Sequence, residues 1–142
     1  MSKATDIAES IKTAIAGYSP VSSGGWTVER NWLPELTREK ADGGLIAVTP
    51  MSVEVSRESR SLDMHLYQID VHICKTVSDM TDVSEVDALV EFGEGLVDWL
   101  CNAQLVGTPI ERVEQFPLWA PAVVGGQSCF ATTIQVFVRD AR

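Results

Sequence analysis

The chain combines two segments with helical spacing of apolar residues and several in which apolar and polar residues alternate. Residues 4–16 place isoleucines on one face at helical spacing, and Gly17 is a natural stop. Residues 78–104 carry the clearest helical pattern, and Asp82 with Glu85 three residues later suits a capped start. The expected buried stripe of this second helix comprises Val86, Leu89, Val90, Gly93, Leu96, Val97 and Leu100.

Strands are predicted at 26–32, where apolar and polar residues alternate, and at the short apolar run 44–50. Residues 108–116 and 128–140 also have the pattern of strands. Pro50 is expected to end the second of them, because proline cannot donate to a strand ladder. The segments between the elements read as connections, since they are polar or rich in glycine and proline: 18–25, 33–44 and 117–126.

One further strand is unusually long for so small a chain. Residues 53–77 begin with a charged, serine-rich excursion and end as a regular strand. Apolar residues occupy even positions from Leu62 to Leu66 and odd positions from Tyr67 onward, so the buried face switches near residue 66. Either a bulge causes the switch or the two parts pack on different surfaces. A strand that leaves its own core and buries its tip against a neighbour shows this pattern.

The order of these elements predicts the fold class. Helix, strands, helix and strands follow one another without regular βαβ alternation, which favours an α+β fold. We expect one domain, 1–142, with a mostly antiparallel sheet of about four to five strands. Two helices should pack on one face, and residues 53–66 should form an extended arm or long hairpin.

Composition restricts the possible partners. The 142 residues carry a net charge of −9, which argues against binding a phosphate backbone by bulk charge. It does not exclude a protein that lets nucleic acid slide past. No apolar run approaches roughly 18 residues, so no membrane contact is expected.

Candidate chemistry is sparse. Three widely spaced cysteines make no CxxC pair, and neither a metal site nor a cofactor is expected. Asp70, His72 and Cys74 lie on one strand face and supply the residue types of an orienter, a base and a nucleophile. Side chains spaced two apart on one strand stand roughly 7 Å apart at their roots, so a polar or interface face is the main alternative. The expectation is that the chain is not an enzyme.

Two regions are candidate interfaces. Arg57, Glu58 and Arg60 either belong to a solvated loop tip or form ion pairs between subunits. The apolar residues Leu62 and Met64 follow them. A second region contains Leu118 and Trp119, which form either a lid over the protein's own core or an exposed anchor.

The order of these segments resembles the tail-terminator (tail-completion) proteins of long-tailed bacteriophages. A short helix is followed by WTVERNW, by the proline-acid connector LPEL, and by a strand ending in VTP. Next come SRESR, the strand YQIDVHICK, the acidic turn SDMTDVSEVD before the long helix, and two closing strands. The tryptophan-rich composition and the PLWAP loop have no counterpart in this pattern.

The resemblance implies a structural virion protein that forms a homo-oligomeric ring, typically a hexamer. Such a ring caps the tail tube, stops its polymerisation and joins it to the head-neck connector protein, while genomic DNA passes through the lumen without specific binding. The location implied is the neck region of the virion tail, after assembly in the host cytoplasm. The arm would then pack on the next subunit or on the tube.

Other functions remain open from the sequence. Within the same class the chain is another neck, head-closure or tail tube component. In a different class it is a small enzyme or ligand-binding domain that uses Asp70, His72 and Cys74, or an adaptor that binds only protein.

Overall fold

A computed structural model describes residues 2–33, 37–79, 81–102, 109–118, 120–124 and 127–141. Its helices are α1 (Lys3–Ala16), α2 (Ser19–Ser23), α3 (Arg38–Gly43) and α4 (Val83–Asn102). Its strands are β1 (Thr27–Arg30), β2 (Leu45–Arg57), β3 (Asp63–Thr76), β4 (Ile110–Gln115), β5 (Ala120–Val124) and β6 (Gln127–Ala141).

The two long helices form where the apolar periodicity predicted them. Helix α1 begins after Ser2, whose hydroxyl accepts a hydrogen bond from the backbone N–H of Thr5, and it ends at Gly17. Helix α4 begins after Asp82, whose carboxylate accepts from the backbone N–H groups of Ser84 and Glu85.

The start of α4 departs from a capping box in one respect. The Glu85 side chain accepts from the backbone and hydroxyl of Ser78 rather than from Asp82. The Ser84 hydroxyl and the two amide donors hold the pKa of Asp82 below its ordinary value, since each hydrogen bond favours the charged carboxylate.

The strands form one six-stranded sheet, so the expected α+β class is confirmed. The order is β1-β2-β3-β6-β4, and β5 pairs with the other end of β6. All pairings are antiparallel except β1 with β2. Helices α1 and α4 cover one face of this sheet. The core contains Ile7, Ala8, Ile11, Ile15, Val21, Ile46, Val48, Tyr67, Ile69, Val71, Ile73, Leu96, Leu100, Ile134, Val136 and Val138.

The prediction that Pro50 ends its strand is wrong. Strand β2 continues to Arg57, with a register shift against β3 between Pro50 and Ser52. The Val48 carbonyl accepts a hydrogen bond from the Asn31 backbone N–H, so the backbone polar groups of Val48 point toward β1. Pro50, two residues later, places its nitrogen on the same outer edge, where β1 has already ended. No ladder bond to β3 is therefore lost.

The apolar face switch near residue 66 is not caused by a bulge in β3. Strand β3 pairs with β6 without a register shift from Met64 to Thr76. Alternation then places Tyr67 and Ile69 on the core face and Met64 and Leu66 on the opposite face. The second of the two interpretations fits: the two parts of β3 present apolar side chains to different surroundings.

Three predicted connections contain regular structure. Segment 18–25 includes α2, which has a proline in its first turn, and segment 33–44 includes α3, capped by the Thr37 hydroxyl. Segment 117–126 includes β5. Each element is at most six residues long, too short for a clear periodicity. Helix α3 contacts the sheet face opposite the core, where Ala41 packs with Cys74 and Cys129.

Candidate assembly surface on the hairpin

Strands β2 and β3 form the long hairpin that the sequence predicts. Their register runs from Leu45 opposite Cys74 to Arg57 opposite Asp63. Strand β6 accompanies β3 as far as Ala141, so three strands make up the extension. Residues 51–62 are all exposed although most of them lie in a regular strand. At about 3.3 Å per residue, the exposed part of β2 is about 20 Å long.

The hairpin continues the core face past the point where helices cover it. Val53 lies opposite Tyr67 and Val55 opposite His65, so both valines share the parity of the buried Tyr67. Their exposed fractions are 48% and 55%, and Met51 is 54% exposed. Trp32, at 63% exposure, lines a shallow groove together with Met51 and Val53.

These residues form one apolar patch, defined by Trp32, Met51, Val53 and Val55. Contiguous exposed apolar side chains of this kind mark interaction surfaces rather than ordinary protein surface. The sequence predicts a strand that extends to residue 32, and it does not single out Met51. The strand ends at Arg30, which leaves Trp32 beyond the pairing.

The tip of the hairpin is an ordered turn. The backbone N–H groups of Glu58 and Ser59 both donate to the Leu62 carbonyl, at 3.0 and 3.1 Å. Arg57 and Asp63 form an exposed ion pair with 3.4 Å between Nε and Oδ1. Exposed pairs of this type contribute little stability, since water screens both charges.

The interface residues that the sequence predicts for this region lie at the hairpin tip or close to it. Arg57, Glu58, Arg60 and Leu62 are all exposed at or beside the tip, and Leu62 is 39% exposed. Met64 is partly buried on the face opposite the apolar patch. The structure does not bring these residues into one surface: the charged tip, the apolar patch and the Met64 face are distinct.

The second predicted interface lies near the opposite edge of the sheet. Leu118 is 53% exposed, and Trp119 lies outside the described residues. Phe116, which sequence reasoning missed, is 82% exposed directly after β4. The exposure of Leu118 and Phe116 favours an anchor over a lid. The sequence signal that could have identified Phe116 is an aromatic residue followed by proline at the end of a strand.

Asp70 and His72 lie on the sheet face opposite the core, as their parity predicted. Asp70 is buried and accepts a hydrogen bond from Gln68 Nε2 at 3.0 Å. His72 Nδ1 lies 3.2 Å from the Thr133 hydroxyl. Burial lowers the pKa of His72, and the nearby Asp70 charge opposes that effect only in part. The side chains of Asp70 and His72 thus each contact a neutral polar side chain.

Cys74 is poorly suited to act as a nucleophile. Burial, with the neighbouring Cys129 as a further cause, raises the pKa of its thiol to about 12. The reactive form of a cysteine is the thiolate, which such a pKa suppresses at neutral pH. Among the described residues, no hydrogen bond joins His72 to Cys74. The arrangement lacks the contact that a base and nucleophile require.

The described part of the chain contains no group of three or more His, Cys, Asp or Glu side chains placed to hold a metal ion. None of its helices combines the length and the apolar character needed to cross a bilayer.

Comparisons with known proteins bear on the fold. No protein-family model and no curated protein matches this sequence. A solved chain from the virion of a native gene transfer agent (GTA) particle is 10% identical, with a TM-score of 0.52; the match covers 94% of this chain and 95% of that one. Another solved structure, without a functional name, is 12% identical with a TM-score of 0.57, covering 97% and 96%. At these identities the likeness concerns the fold.

Proposed function

We propose that this protein is a structural component of a virion, with no enzymatic activity of its own. More specifically, we propose a tail terminator whose subunits assemble into a ring of about six. The ring caps the tail tube, stops its polymerisation and joins the tube to the head-neck connector protein. It is located in the neck region of the tail and is assembled in the host cytoplasm.

The observation that carries this proposal is the exposed hairpin. The apolar patch continues the core face of the sheet but has no helix over it in the described residues. A cyclic ring requires a heterologous contact, in which one surface of a subunit meets a different surface of the next. The hairpin offers the first surface, and the exposed Phe116 and Leu118 near the opposite sheet edge are available for the second.

The comparison with the gene transfer agent virion supports the same proposal. The matched chain belongs to a virion, and the likeness extends over nearly the full length of both chains. A shared fold does not imply a shared role, since function depends on the surfaces that a fold carries. The uncovered hairpin is such a surface, and it favours a subunit of an assembly over a monomeric enzyme.

The charge of the chain is compatible with a channel for DNA. Each subunit carries a net charge of −9. A ring of such subunits repels a phosphate backbone, so that DNA passes through the lumen without specific binding.

The test is the mass of the full chain in solution, measured by light scattering after size exclusion over a wide range of concentrations. We expect a species of about six times the chain mass, which electron microscopy should resolve as a closed ring with a central opening. Arg57→Glu combined with Arg60→Glu should weaken this species. A stable dimer, open chains of indefinite length, or a monomer at every concentration would contradict the proposal.

A further inference from the structure

A groove lies on the hairpin face opposite the apolar patch. Its floor contains Met64 and Leu66, and its rim is lined by Glu54, Ser56, Glu58, Glu111 and Arg139. The register of the strands brings these groups together, because Glu54 is directly opposite Leu66. The groove has a volume of about 290 Å³. This lies just below the range of about 300–1,000 Å³ typical of small-molecule sites, and it suits a single side chain.

Three carboxylates and one cation, Arg139, line the groove, so its net charge is negative. Glu54 and Glu58 make no ion pair within the described part of the chain. Glu111 is paired only loosely with Arg139, whose Nη1 lies 3.8 Å from its carboxylate. An apolar floor with a carboxylate rim matches a side chain that has an apolar stem and a cationic head. Arginine has both, and its planar guanidinium can bond two carboxylate oxygens at once.

The hairpin tip presents such side chains. Arg60 is exposed in the turn and has no ion-pair partner among the residues the structure describes. Arg57 has only the weak, exposed contact with Asp63 and is 73% exposed at its side chain. Two backbone hydrogen bonds to Leu62 fix the turn, so both arginines are displayed on an ordered support.

We propose that the groove of one subunit binds Arg60 from the hairpin tip of the next subunit, with Arg57 at the rim. This inference rests on the proposed ring and adds a polar contact between neighbouring subunits to the apolar one proposed above. Made in one direction only, a tip-to-groove contact is heterologous and repeats around a ring, whereas a reciprocal contact would close a dimer. Each subunit has a net charge of −9, so neighbouring subunits repel each other overall. The tip-to-groove contact is a local attraction that opposes this repulsion and fixes the relative orientation of the two subunits.

Cross-linking between two differently labelled preparations tests this contact. In a Cys101→Ser background, one preparation carries Arg60→Cys, and the other, isotopically labelled, carries Glu54→Cys. A mixed-mass disulfide can form only between copies. We expect at least about tenfold more of it than for Arg60→Cys mixed with Glu91→Cys, in which the second cysteine lies on the exposed side of α4. Equal yields would overturn the proposal and assign the groove to another occupant.

A charge exchange provides a second test. Glu54→Arg and Arg60→Glu should each raise the concentration of half-assembly by about tenfold, and the double variant should recover most of that loss. Glu91→Arg changes the net charge by the same amount as Glu54→Arg and should have little effect. All the altered side chains are exposed, so the variants should fold, which thermal denaturation verifies. Additive losses in the double variant would overturn the pairing.

The outcomes separate this inference from the proposed function. A closed ring without the tip-to-groove cross-link would overturn the contact and leave the ring intact. The cross-link in a dimer or an open chain would support the contact and overturn the ring.

Discussion

Replacing both hairpin valines by threonine should weaken assembly while leaving the subunit folded. In Val53→Thr/Val55→Thr each side chain keeps its branched shape, so the preference for strand conformation is maintained. Both valines are about half exposed in the subunit, and the hydroxyls can bond to water there. The main cost arises only when a neighbour covers them.

The magnitude follows from the burial of two hydroxyl groups. Placing a hydroxyl in an apolar contact without a partner costs about 1–3 kcal/mol. Taking the lower value for each residue gives about 2 kcal/mol per subunit contact. Since 1.4 kcal/mol corresponds to a tenfold change, each contact should weaken by about 30-fold.

Sedimentation velocity over a concentration series measures this shift directly. Val83→Thr is the matched control, because Val83 is 71% exposed at the start of α4, away from the hairpin. A thermal unfolding curve close to that of the original chain would show that the subunit is intact. If the double variant assembled at the same concentrations as the control, the apolar patch would not be a subunit contact.

Three further predictions concern stability and the cysteines. Gly44→Ala should lower Tm by about 10 °C, since φ of Gly44 is +89° and an added Cβ would lie 2.6 Å from the Trp26 ring. The control Gly43→Ala should have a much smaller effect on Tm, because the atom nearest to its Cβ would be 3.9 Å away. Cys101 is exposed while the other two thiols are buried, so a thiol reagent at pH 8 should modify one site quickly, and rapid modification of a second would contradict the buried arrangement. Asp82→Ala should lower Tm at pH 7, and the difference in Tm between the variant and the original chain should shrink below about pH 4. The reason is that a carboxylate whose pKa is lowered in the folded state stabilises the fold above its ordinary pKa and loses that effect as it is protonated. A difference in Tm that does not depend on pH would assign the effect to something other than the carboxylate.

The sequence located the long elements because their signals are local. The isoleucines of α1 repeat over several turns, and the alternation from Tyr67 onward spans a full strand. Such patterns depend on the geometry of one element and not on its neighbours. Segments of four to six residues, such as α2, α3 and β5, provide too few positions for a period to be recognised.

Pro50 shows where local reasoning fails. Proline ends a strand only if its nitrogen must donate to a neighbour, and that depends on which edge of β2 is paired. Strand β1 stops at Arg30, so the nitrogen meets no partner strand on that side. Nothing in the residues around position 50 contains this information.

The candidate surfaces, too, were predictable from the sequence only in part. The sequence by itself determined that residues 53–66 carry a group of charges, that the apolar phase changes near residue 66, and that the class is α+β. Only the tertiary structure decided that Val53 and Val55 extend the core face past its helices, that Met64 and Leu66 form the floor of an acidic groove, and that Phe116 is exposed at the far edge. Parity assigns a side chain to a face, but its covering depends on strands and helices distant in sequence, and these meet only in the folded chain.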